Sequence, residues 1–130
     1  MAQVSRDTAK KRLEAQRRAE ALLRDLVGDE VYRRSLACGY LETRSPNFPG
    51  RVYRIPWKGG FVTVVEGGRP IEMLCVAPCA SLPPADALVT HKLLIEADEE
   101  RYLAAANHFP NGVGDGSPAQ FLAYLARFEA

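Results

Sequence analysis

At 130 residues, with 47% apolar and 25% charged side chains, the chain has the size of one domain able to bury a core without disulfides. Its formal net charge is +1, and the uncharged run from Met73 to Ala85 is broken by prolines, which excludes a membrane-spanning segment there. No secretory leader pattern follows Met1, so the expected setting is cytoplasmic and Cys38, Cys75 and Cys79 are expected to be reduced thiols rather than a disulfide framework.

The small net charge conceals an uneven distribution. Residues 1–25 carry seven Lys/Arg against four Asp/Glu, and residues 81–130 carry three against seven. Such asymmetry offers differently charged faces to a partner or to the chain itself.

In chain order, Ser5 or Asp7 is expected to cap a helix running to about Leu26, with no Gly or Pro until Gly28. On that helix Ala15, Ala19, Leu22, Leu23 and Leu26 share one face, and Arg6, Lys10, Arg17 and Arg24 line the opposite one. Residues from Asp29 to about Ala37 predict a second, short helix, ended by a left-handed glycine at Gly39.

A β region follows. Tyr40–Arg44 begins it, and Ser45-Pro46-Asn47-Phe48-Pro49-Gly50 must be a loop, because two prolines remove donors and fix φ. Arg51–Trp57, Phe61–Glu66 and Ile71–Val76 are strand-like, joined by Lys58-Gly59-Gly60 and Gly67-Gly68-Arg69, whose glycines supply the positive φ of tight hairpins. The prediction is an antiparallel meander of three or four strands within residues 40–77.

Pro83-Pro84 then opens helical sequence. One straight helix would put Lys92, Glu96 and Glu99 into the same arc as Leu88, Ile95, Tyr102 and Leu103, so two helices are expected: Pro84 to about Glu96 and Asp98 to about His108, with a kink near Ala97. Pro110–Gly116 is read as a connector, and Ser117-Pro118-Ala119-Gln120 as a capping box opening a last helix with Phe121, Leu122, Leu125 and Phe128 on one face. The expected fold is therefore α+β and a single domain: helical over 5–38, a β-meander over 40–77 and helical again over 83–130.

The segments Arg51-Val52-Tyr53-Arg54-Ile55, Leu74-Cys75-Val76-Ala77-Pro78, Leu82-Pro83-x-x-Asp86 and Lys92-Leu93-Leu94-Ile95-Glu96-x-Asp98-Glu99-Glu100-x-x-Leu103-x-x-Ala106-Asn107 form a pattern. It is similar to small proteins of unknown function encoded in bacterial and phage genomes. The resemblance spans roughly half the chain and implies a meander followed by helices, without an activity to carry over.

Several side chains invite a chemical reading. Cys75, Cys79, His91 and His108 are of zinc-ligand type, but the long interval between the histidines does not match a structural zinc knuckle. Cys79, His91 and Asp86 are of the types used in thiol catalysis, although Asp86 is better explained as a first-turn acid favoured by the helix dipole and His91 as an exposed or half-buried helix residue. Asp98-Glu99-Glu100 lacks a complementary carboxylate cluster and reads as a negatively charged helix start. No phosphate-cradling or dinucleotide motif occurs, and no cofactor is expected. The remaining candidates are cationic and aromatic: Arg6, Lys10, Arg17 and Arg24 on the first helix, with Arg51, Arg54 and Trp57 on the sheet.

Two function classes follow. The first is a non-enzymatic protein-interaction module, whose exposed helix and Phe48/Trp57 loops meet a protein partner or a second copy; phage-encoded, it would be a host-directed inhibitor or an accessory part. The alternative is a nucleic-acid binder using the basic helix.

Overall fold

The computed structural model describes residues 2–76 and 82–110. The first helix, α1, spans Ala2–Val27, and α2 follows at Asp29–Cys38. Ser5 and Asp7 thus lie within α1 rather than capping it. Gly28 separates the two helices at φ 90°, and Gly39 closes α2 at φ 85° while its N–H reaches the Ser35 carbonyl. A side chain at Gly39 would meet no atom, so the left-handed backbone, not space, is what calls for glycine there.

Strands β1 (Tyr40–Arg44), β2 (Arg51–Pro56), β3 (Val62–Glu66) and β4 (Arg69–Cys75) pair in sequence as an antiparallel meander. Leu41 faces Ile55, Thr43 faces Tyr53, and Tyr53 faces Val64, which puts one continuous apolar row on one side. Between Val64 and Val65 the β3–β4 register shifts, so Val64 pairs with Glu72 and Val65 with Pro70. The irregularity accommodates Pro70 beside the hairpin turn, where a missing N–H costs least.

Helices α3 (Pro84–Ala97) and α4 (Glu99–Ala105) come next, and the break between them falls at Asp98. Its carboxylate accepts the Arg101 N–H at 3.1 Å, an ordinary N-cap, which confirms the expected kink. The chain then departs from the sequence reading. Residues Asn107–Pro110, read as the end of a helix and the start of a connector, form a fifth strand, β5, antiparallel to β4. The sheet has five strands in the order β1-β2-β3-β4-β5, so the second helical segment is interrupted by strand. The predicted last helix, with Phe121, Leu122, Leu125 and Phe128, falls outside the described residues.

The core lies between the sheet and α3–α4. Leu41, Tyr53, Ile55, Val62, Val64 and Leu74 meet Ala85, Leu88, Val89, Ile95 and Tyr102, with Ala19 and Leu23 closing the far side. Helix α2 lies against β1, α3 against β1 and β2, and α1 against α2 and α3. Burying a leucine such as Leu23 is worth about 1.5–3 kcal/mol, which makes Ala19–Leu23 the point that pins α1 to the body. No described helix is long and apolar enough to cross a membrane.

Candidate functional site

Glu99 opens α4 and is 1% exposed. Removing a carboxylate from water costs several kcal/mol unless donors replace the lost hydration. Three donors do so: the Ser45 hydroxyl at 2.5 Å, the Tyr53 hydroxyl at 2.5 Å and the Asn47 backbone N–H at 3.2 Å. Two of these come from the loop between β1 and β2, so the buried charge ties that loop to the helical layer.

The loop is braced from within as well. The Ser45 hydroxyl oxygen accepts the Phe48 N–H at 2.9 Å and the Asn47 N–H at 3.3 Å. Ser45 N–H donates to the Arg51 carbonyl, Arg51 N–H to the Phe48 carbonyl, and Gly67 N–H to the Gly50 carbonyl. Pro46 and Pro49 fix two further φ angles. At its apex Phe48 remains 43% exposed, with the Arg51 guanidinium 4.2 Å from its ring centroid. Arg51 is held in turn by Glu66, at 2.6 Å from Nη2. The aromatic ring thus rests on a fixed cation.

Behind the loop lies a row of rings. Burial, then the hydrogen bond to Glu99, pushes the Tyr53 phenol up to about 12, so it stays protonated and donates to the carboxylate. Tyr53 meets Tyr102 edge to face at 6.3 Å. Burial raises the Tyr102 phenol too and lowers the His91 imidazole. Tyr102 OH lies 2.9 Å from His91 Nδ1; with a protonated phenol and a neutral ring, we assign Tyr102 as donor and place the imidazole hydrogen on Nε2. These are positioning contacts, and they leave His91 Nδ1 occupied.

Half of the six cations singled out from the sequence, Arg24, Arg51 and Arg54, are already engaged. Arg24 pairs with Asp29 at 2.5 Å and lies over Tyr32, and Arg54 pairs with Glu42 at 3.1 Å and lies over Tyr40. Trp57 is half-buried: its indole N–H donates to Ser35 Oγ at 3.1 Å and its ring meets Tyr32 edge to face. It clamps α2 to the sheet rather than projecting from a turn. Arg6, Lys10 and Arg17 remain exposed on α1.

Among the described residues the candidate metal ligands do not converge. His108 has Nδ1 at 3.0 Å from Glu72 and Nε2 at 2.7 Å from the Leu103 carbonyl, while Cys75 is half-buried in β4. Cys79 lies outside the described residues. Among the described residues no three His, Cys, Asp or Glu side chains gather to hold a metal ion.

Sequence reasoning took Glu99 as part of a negatively charged helix start, and so missed the brace. The signal was present: Glu99 shares an arc with Leu88, Ile95 and Tyr102, the position of a carboxylate that folds inward. Comparison with known proteins adds nothing to this geometry, since no family model matches the chain and neither a curated protein nor a solved structure is significantly similar to it.

Proposed function

We propose that this protein is a non-enzymatic interaction module that recognises a protein partner through the 45–50 loop, with Phe48 as its anchor. The observation that carries the reading is the Glu99 brace. A fully buried carboxylate bonded to Ser45 and Asn47 holds a surface loop in one conformation, and a loop already ordered loses little entropy on binding. An exposed aromatic on a rigid scaffold is the residue type that dominates protein interfaces. The helical layer supports a protein partner as well, since Leu22, Leu26, Leu93 and Leu94 are all more than 40% exposed. The resemblance to small bacterial and phage proteins adds a mobile-element setting, in which such a module acts as a host-directed inhibitor or an accessory part.

Phe48→Ala tests the reading. The side chain is too exposed to hold the core, so stability should change by no more than about 0.5 kcal/mol. In parallel affinity captures from host lysate, with sedimentation to detect self-association, the wild-type protein should retain a partner or a second copy that the variant loses. Identical captures and identical sedimentation for both proteins would refute the assignment to this loop.

A further inference from the structure

We infer that the first half of α1 is a polyanion-binding arm whose ligand is the phosphodiester backbone of a nucleic acid. This site is separate from the Phe48 loop, and neither depends on the other. The inference begins with where α1 leaves the body. The row of residues that buries Leu23 and Ala19 and half-buries Ala15 continues, one and two turns toward the N-terminus, into Arg12 and Thr8. With no apolar stripe left to bury, the helix projects. From Arg6 to Arg18 every residue except Ala15 is exposed, a length of about 20 Å at the rise of an α-helix.

The projecting segment carries Arg6, Lys10, Lys11, Arg12, Arg17 and Arg18 against Asp7 and Glu14. None of those six cations takes part in an ion pair among the described residues. Arg24, which the sequence places on the same stripe, is paired with Asp29, so the unpaired charge lies toward the N-terminus, where Arg12 joins Arg6, Lys10 and Arg17 and the flanking Lys11 and Arg18. Between Arg6 and Arg18 Leu13 is the single large apolar residue, and a protein docking groove needs several at helical spacing. Cations spread around a solvated rod suit a ligand that presents phosphates on more than one side, as a nucleic-acid groove does.

The test is fluorescence anisotropy with the full-length protein, using a labelled 20-base-pair DNA duplex, a labelled 20-nucleotide single-stranded RNA, and polyglutamate as competitor. The wild-type protein should bind at least one of the two nucleic acids, and the affinity should fall about a hundredfold or more between about 50 and about 200 mM salt. A variant with all six cations changed to Gln should lose that binding while keeping its circular dichroism and unfolding midpoint, because all six residues are exposed. The stronger of the two probes identifies duplex or single strand as the source of the phosphates. Absent or salt-insensitive binding, or a six-Gln variant that binds as well as wild type, would overturn the inference. Polyglutamate competing as well as unlabelled nucleic acid at equal charge would overturn it too, by pointing to an acidic protein surface.

Discussion

Glu99 and Tyr53 show how two residues exchange roles with their surroundings. The carboxylate needs donors to be buried, and the phenol needs an acceptor; at 2.5 Å each meets the other's requirement. The two histidines illustrate the same dependence with opposite signs. Burial lowers His91 from its ordinary 6.5, so its contribution is present above that value and is lost as pH falls through the lowered folded value. His108 is raised, first by the Leu103 carbonyl and then by Glu72, so its contribution is complete below 6.5 and is lost as pH rises through the raised folded value. Together they predict a stability maximum near their shared ordinary value. Calorimetric midpoints between about pH 5 and pH 8 check this: His108→Gln should flatten only the alkaline limb and His91→Gln only the acid limb. A wild-type profile without either limb would contradict the assignment.

Among the elements, α2 and its glycine cap were the most legible, because a short helix ending at Cys38-Gly39 leaves little choice of backbone. Gly39→Ala should cost about 1–2 kcal/mol, the penalty for a side chain in the left-handed region, with no steric clash to enlarge it. A urea midpoint equal to wild type would show that the cap is not held at positive φ. Strand β5 was the least legible. Ala104-Ala105-Ala106 continues the helical composition to Asn107, and only pairing with β4 makes Asn107–Pro110 extended. Local sequence carries no record of a partner strand that lies more than thirty residues earlier. The kink at Asp98 was legible because charged residues in an apolar arc conflict with a straight helix.

At the scale of the whole molecule, the α+β class and the meander were written in the alternation of Arg51–Trp57 and the Gly-Gly turns, since each glycine pair fixes a hairpin locally. The candidate site was not, because it joins Ser45, Asn47 and Tyr53 to a residue some fifty positions later, and distance in sequence hides that closure. The layers explain the division of surfaces: α1 is fastened through its C-terminal half, at Ala19, Leu23 and Val27, so its other end projects, while the 45–50 loop is fastened at both the sheet and α4. Two surfaces of different character result, a charged arm and a rigid aromatic loop.

The central claim is that the loop is held ready for its partner by Glu99, and amide hydrogen exchange of Asn47 and Phe48 tests it most directly. In the wild-type protein both amides, bonded to Glu99 and to Ser45, should exchange as slowly as strand amides. In Glu99→Gln, which offers one acceptor oxygen in place of two, so that its NH2 must face either the Asn47 N–H or the Ser45 and Tyr53 hydroxyls, they should exchange about tenfold faster or more, in line with the roughly 1–3 kcal/mol cost of leaving a buried polar group mismatched. Wild-type amides exchanging at the rate of an unstructured chain, or rates unchanged in Glu99→Gln, would contradict the claim.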